Sequence, residues 1–163
     1  MTLVSNTGPL IALAKISRLS LLRTLGWDAV FIPPRVHREL LGKVGPESAE
    51  IDAALDTFLR VVRPPAVAEG VRAAVAGLDD GEQEVIALAA SMDAPVAILL
   101  DDHAARSAAK QLGLHVTGSV GILLLAKKRG FIAQVAPHLE EARRKGYWLS
   151  DGLIALAKHL AGE

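Results

Sequence analysis

The sequence predicts a three-layer α/β/α domain with a mainly parallel five-stranded sheet and extra helices at its C-terminal end. Five short apolar runs rich in β-branched residues lack the alternation of half-exposed strands, as expected of strands covered on both faces. Stretches of helical periodicity separate these runs, and strands that alternate with helices imply parallel crossovers. The chain of 163 residues suits one domain, expected to cover residues 1–163.

The element boundaries follow from local signals. The strands are expected at residues 3–5, 29–32, 60–62, 96–100 and 114–117. Proline stands in the first helical turn after Thr7-Gly8 and again before RVHRELL, a position that helices tolerate. Asp79 and Ser119 begin two later helices, and Ser150 is expected to cap the final one.

Composition excludes several classes of protein. Cysteine is absent, so the chain has neither disulfides nor thiolate metal sites. The N-terminal segment MTLVSNTGPLIALAKI has no basic leader, and the apolar runs are too short to span a bilayer, so we expect a cytoplasmic protein with no membrane partner. The formal net charge is +0, whereas a protein that attracts nucleic acid non-specifically should be basic. Any nucleic acid must therefore be bound at a local site, with a bridging cation.

Polar residues follow the two strands that should lie side by side at the centre of the sheet. In an open α/β sheet, ligands bind outside the carboxyl ends of the strands, near the point where the strand order reverses. A 3-2-1-4-5 order would make strands one and four neighbours. Asn6 and Thr7 follow strand one, and Asp101 and Asp102 follow strand four. We therefore expect these residues to face one another.

Two further acids, Glu39 and Glu82, lie on helices that begin near the same edge. Acidic groups that converge repel one another, and their pKa values rise unless a cation neutralises them. An all-oxygen cluster suits a hard divalent cation, Mg²⁺ or Mn²⁺.

Each residue also has a purely structural interpretation. Asp101 or Asp102 could cap the helix AARSAAKQLG, and Asp102 could pair with Arg106 one turn later. Glu82 stands in a first helical turn, where an acid favours the helix dipole, and Glu39 could belong to a solvated face. Asn6 and Thr7, which follow strand one, are also residue types that favour turns. The joint arrangement, rather than any one acid, indicates a site.

Longer segments resemble a known family. They are VSNTGPLIALAKI, IPPRVHREL, LDDGEQEVIALAAS, ILLDDHAARSAAKQLGLHVTGSVGILLLAKKRGFI and YWLSDGLIALAKHLAGE. Together they resemble the PIN domain superfamily, and within it a prokaryotic branch related to VapC toxins, over nearly the whole chain. The resemblance implies a Mg²⁺- or Mn²⁺-dependent ribonuclease, the toxin of a type II toxin–antitoxin pair, with RNA and a cognate antitoxin protein as partners.

The resemblance also assigns roles. The metal-binding positions of the family fall on Asn6, Glu39, Glu82 and Asp101. Asp102 is a neighbouring candidate that could accept a proton from the attacking water, and Thr7 would orient ligands. Arg106, like Lys15, Arg35 and Arg38, is near enough in sequence to contact phosphates, although solvation at the surface would equally explain it.

Two positions depart from the family pattern. Asn6 stands where these nucleases generally have Asp, and it offers a neutral carbonyl oxygen in place of a charge. Glu82 is longer than the usual Asp. The departure at Asn6 favours an alternative, a catalytically inactive PIN-like module that binds RNA or protein.

Two further alternatives concern fold and assembly. A receiver-like signalling domain would need an acceptor Asp after strand three and a Lys after strand five, where this chain has RPP and HVTG. The apolar stretch SLLRTLGW could form a homodimer surface or belong to the core.

Overall fold

The computed structural model describes all 163 residues and contains five strands and ten helices. The strands are Thr2–Ser5 (β1), Val30–Ile32 (β2), Leu59–Val61 (β3), Val96–Leu99 (β4) and His115–Thr117 (β5). The helices are Thr7–Lys15 (α1), Leu21–Thr24 (α2), Pro34–Leu41 (α3), Ser48–Thr57 (α4), Glu69–Val75 (α5), Asp80–Ala90 (α6), His103–Gln111 (α7), Ser119–Lys128 (α8), Ala136–Arg144 (α9) and Asp151–Ala161 (α10).

The sheet has the order β3-β2-β1-β4-β5, and every neighbouring pair is parallel. This confirms the predicted fold class, and the predicted strands lie within a residue or two of the observed ones. The order reverses between β1 and β4, where Ser5 is in register with Leu99. The carboxyl ends of these two strands therefore meet at the centre of one sheet edge.

Helices cover both faces of the sheet. The α6 helix packs on β1 and β4 and contacts α3 and α5, while α1 contacts α4, α8 and α9. A hydrophobic core of 42 buried residues runs from Leu3 to Ala157. All four residues of β4 are buried, which explains why its sequence is continuously apolar.

The stretch SLLRTLGW packs inward. Leu21, Leu22 and Leu25 are all buried in the core. Core packing, the second of the two interpretations of this stretch, is therefore the one that the structure supports.

The last two helices are held by a single carboxylate. Glu163 accepts hydrogen bonds from the backbone N–H groups of Val135 (2.8 Å) and Ala136 (3.0 Å), at the start of α9. The same carboxylate pairs with Lys127 of α8 at 2.9 Å. Charge-assisted bonds of this kind are stronger than neutral ones, so Glu163 ties α8, α9 and the end of α10 together.

None of the ten helices combines the length and the apolar character needed to cross a membrane.

Candidate functional site

The candidate site lies at the sheet edge where β1 and β4 end. The Asn6 N–H donates to the Leu99 carbonyl at 3.1 Å, which carries the β1–β4 ladder one residue beyond the strands. The Leu100 N–H donates in turn to the Thr117 carbonyl at 2.9 Å. The backbone after β4 therefore follows β5, and Asp101 reaches the sheet edge on the β5 side.

The β1 side of the edge carries Asn6, Thr7 and Glu39. Asn6 has an extended backbone and makes no side-chain capping bond to α1, so its amide is not used as a helix cap. Thr7 is buried, and its hydroxyl donates a short hydrogen bond to Glu39 Oε2. This contact joins the start of α1 to α3 and orients an otherwise exposed carboxylate.

A glycine lets α6 approach these groups. A Cβ placed on Gly81 would lie 3.0 Å from Glu39 Oε1 and 3.7 Å from Asn6 Oδ1. Any side chain at this position would crowd Glu39. Gly81 therefore brings three segments that are distant in sequence, after β1, on α3 and at the start of α6, within contact of one another.

Glu82, the residue after Gly81, is buried and takes part in a capping box at the start of α6. Its N–H donates to Asp79 Oδ1 at 2.8 Å, and Glu82 Oε2 accepts from the Asp79 N–H at 3.3 Å. Burial raises the pKa of Glu82, and the negative charges of Asp79, Asp102 and Glu39 raise it further. Glu82 thus serves as a helix cap and also stands in a region of uncompensated negative charge.

The β5 side of the edge is organised around Asp101. Asp101 Oδ1 accepts from the Ser119 N–H at 2.8 Å, and Oδ2 accepts from the Ser119 hydroxyl at 2.8 Å. The Tyr147 hydroxyl also donates to Oδ2. Burial and the negative charge of Asp101 raise the pKa of Tyr147, so its hydroxyl remains a proton donor.

Ser119 and Tyr147 are site residues that sequence reasoning did not find. The sequence indicates Ser119 only as a helix start, and Tyr147 lies 46 residues from Asp101 on the segment between α9 and α10. A Cβ on Gly8 would lie 3.6 Å from the Tyr147 hydroxyl. The hydroxyl therefore sits between the start of α1 and Asp101, where it links the two sides of the edge. No spacing pattern in the sequence signals this contact.

Asp102 and Arg106 have the structural roles that the sequence left open, with one correction. Asp102 is exposed, and its Oδ1 accepts from the Ala105 N–H at 2.9 Å, so it caps α7. The pairing of Asp102 with Arg106, one of the structural interpretations, is not formed, because Arg106 Nη1 instead donates to the Leu100 carbonyl at 2.8 Å. Arg106 thereby braces the backbone immediately before Asp101.

The oxygen donors are of the chemical type that binds a hard cation, but they are not arranged as a complete coordination site. No group of three or more His, Cys, Asp or Glu side chains is placed so that it could hold a metal ion. The donors instead form two sets, one around Gly81 and one around Asp101. A cation would relieve the charge that raises the pKa of Glu82.

The fold and this sheet edge define the class of protein. A five-stranded parallel sheet with helices on both faces, and acidic groups where β1 and β4 end, is the architecture of a PIN domain. The chain belongs to the PIN domain family, because it matches the DUF3368 family, described as a PIN domain, over residues 2–163. PIN domains are commonly nucleases and generally use divalent metal ions. No curated protein matches the sequence.

Proposed function

We propose that this protein is a divalent-metal-dependent endoribonuclease and the toxin component of a type II toxin–antitoxin pair, acting in the cytoplasm. The observation that supports it best is the contact around Gly81, where Glu39 and Asn6 approach the start of α6 beside the buried Glu82. Uncompensated carboxylates at a strand-order reversal are costly to fold, and a bound Mg²⁺ or Mn²⁺ would offset that cost.

Each residue has a defined task in this proposal. Glu39 and Glu82, with the Asn6 amide oxygen, would hold the ion from the β1 side, and Asp101 would hold it from the β5 side. When bound, the ion supplies an activated water and neutralises charge on the phosphate. Thr7 fixes Glu39 through its hydroxyl hydrogen bond. Fixing Glu39 before the ion binds lowers the reorganisation needed at this one ligand.

Asp102 is the group proposed to accept the proton of the attacking water. Its Oδ1 is used as the α7 cap, whereas its Oδ2 accepts no hydrogen bond from the protein and the residue is exposed. As the water oxygen bonds to phosphorus, its proton passes to this carboxylate and the bond from phosphorus to the leaving ribose oxygen breaks.

The test is a cleavage assay on protein purified free of partners. A pool of structured and unstructured RNAs would be incubated with Mg²⁺, Mn²⁺ or EDTA. We expect cleavage that requires the metal and that disappears in Glu39→Gln and Asp101→Asn. The matched control is Asp52→Asn, an exposed acid on α4, which should cleave like the wild type. Induced expression in a bacterial host tests the toxin role: the wild type should arrest growth, Glu39→Gln should not, and co-expression of the antitoxin should restore growth.

The second candidate function is an inactive PIN-like module that binds RNA or a protein partner. It is favoured by the neutral side chain of Asn6 and by the dispersed donors. If folded protein cleaves no RNA with either metal, this candidate replaces the nuclease. Asn6→Asp, which restores the charge usual in the family, should then introduce metal-dependent cleavage.

A further inference from the structure

A second concave region lies on the same edge of the sheet as the candidate site. It is an open groove of about 480 Å³, bordered by Arg35, Pro64 and Asp80. Arg35 follows β2 and Pro64 follows β3, so the groove lies towards β2 and β3 along the sheet edge from Asn6. Asp80 is the neighbour of Gly81, which contacts Glu39. A strand of RNA at the candidate site would therefore pass this groove.

The groove presents hydrogen-bond donors and acceptors side by side. Arg35 and Arg72 supply guanidinium donors, while Asp80 and Glu84 supply carboxylates. Arg35 Nη2 lies 3.1 Å from Asp80 Oδ2, and Glu84 Oε2 accepts from the backbone N–H of Arg35 at 3.2 Å. The Gln83 amide donates to a backbone carbonyl at 2.8 Å, which fixes the side chain and leaves its oxygen without a donor.

The charges in the groove balance, and this decides what class of ligand fits. Two guanidinium groups and two carboxylates line the groove, and Arg72 also pairs with Glu69 beside it, so a phosphate would meet repulsion as well as attraction. A neutral group with its own donors and acceptors meets no such conflict. The buried Nε of Arg35 makes no hydrogen bond and lies 3.9 Å from Glu84 Oε1, so the existing partners do not saturate Arg35.

The remaining walls are apolar. Pro64, Val67 and Val75 line the groove, with Ala87 of α6. Aliphatic walls beside paired donors and acceptors suit a flat heterocycle with a polar edge, and a nucleobase has this shape.

We propose that the groove binds one unpaired guanine base of the RNA strand, next to the phosphate that is cleaved; this rests on the proposed function, because it takes RNA as the substrate. Guanine offers O6 and N7 as acceptors to an arginine, and its ring and exocyclic N–H groups as donors to a carboxylate. Adenine places an amino donor where guanine has O6, so it would set a donor against Arg35 or Arg72. The groove makes the protein selective for guanine beside the cleavage point.

The test measures binding without catalysis. Fluorescein-labelled hexanucleotides UUGUUU, UUAUUU, UUCUUU and UUUUUU would be titrated with the protein at low salt in Ca²⁺, which binds oxygen ligands and replaces Mg²⁺ or Mn²⁺ as the bridging cation, and followed by fluorescence anisotropy. We expect UUGUUU to bind about tenfold more tightly than the other three, the size of one good bidentate base contact. Glu84→Gln should reduce this preference to within about twofold.

Two further variants keep the test decisive. Asp52→Asn is the matched control, because Asp52 is an exposed acid on α4 that does not line the groove, and it should keep the full preference. Arg72→Gln, an exposed residue, replaces Glu84→Gln if that variant does not fold, and it should also lose the preference. Equal binding of all four RNAs would overturn the proposal, and so would a preference that survives both groove variants.

Failure of this inference is distinguishable from failure of the proposed function. Metal-dependent cleavage without guanine preference would remove the subsite alone. If the protein prefers guanine but never cleaves RNA, the result would support the guanine-binding groove and refute the proposed nuclease function.

Discussion

Gly118 offers a direct test of how Asp101 is held. It has an extended backbone, with φ −135° and ψ −179°, that any residue adopts, so an alanine there brings no backbone strain. The added methyl would lie 2.5 Å from Asp101 Oδ1, 2.9 Å from Arg106 Nη1 and 3.1 Å from the Leu100 carbonyl. These three groups belong to the hydrogen-bonded network after β4, so Gly118→Ala must displace at least one of them.

The size of the effect follows from the crowding. Forcing a methyl into a packed site costs about 1–3 kcal/mol, and weakening a hydrogen bond to a charged group costs about 1.5–3 kcal/mol. A shift of Asp101 that relieves the crowding also weakens its hydrogen bond, so the two costs are not additive. We expect Gly118→Ala to lower the free energy of unfolding by about 2 kcal/mol. With a urea m-value of about 2 kcal/mol/M, the midpoint should fall by about 1 M.

The measurement is equilibrium unfolding in urea, followed by circular dichroism. The matched control is Gly70→Ala in α5, where an added Cβ meets nothing within 4 Å; it should be neutral or stabilising by up to about 1 kcal/mol. A Gly118→Ala protein that unfolds at the wild-type midpoint would refute the described packing of Asp101 against Gly118.

Three further predictions concern individual hydrogen bonds. Tyr147→Phe removes the donor to Asp101 Oδ2 and should cost about 1–2 kcal/mol of unfolding free energy in the same urea assay; an unchanged midpoint would contradict it. Hydrogen bonds from Lys127 and from the start of α9 lower the pKa of Glu163 from 4.5 to about 2, so its stabilisation is present above about pH 4.5 and is lost as the pH falls towards 2. Glu163→Gln should therefore be about 1 kcal/mol less stable than the wild type at pH 7, and this difference should shrink as the pH falls from 4.5 towards 2 in thermal unfolding; a constant difference across this pH range would count against the assignment. Thr7→Val keeps the shape of Thr7 but removes the donor to Glu39, and it should lower metal-dependent cleavage about tenfold, whereas Thr7→Ser should retain it.

The fold was predictable because its signals are local and repeated. The strands β2 and β4 are continuous apolar runs, and the helices α3, α6 and α7 begin with a recognisable cap or proline. The parallel order then brings the ends of β1 and β4 together without any knowledge of side-chain contacts. The short helices α2 and α5 were harder to predict, since four and seven residues hold too few turns for a periodic pattern.

The site was predictable only in part. Residues that directly follow strands, such as Asn6 and Asp101, could be placed at the edge from topology alone. Their partners could not, because the contacts of Asp101 with Ser119 and Tyr147 depend on how α8 and the segment after α9 pack in three dimensions. The close approaches at Gly81 and Gly118 are likewise invisible in one sequence, where a glycine reads first as a turn residue.

Because Tyr147 donates a hydrogen bond to Asp101, a spectroscopic label on Tyr147 would report on the candidate site. The chain contains a single tyrosine, so incorporation of 3-fluorotyrosine would give one ¹⁹F NMR environment, located at the carboxylate proposed to hold the cation. A ligand that draws Asp101 away from the phenol would shift that resonance, and a ligand that binds elsewhere would leave it in place. Occupancy of the β5 side of the edge could then be followed directly in solution, without a substrate and without altering any acidic residue.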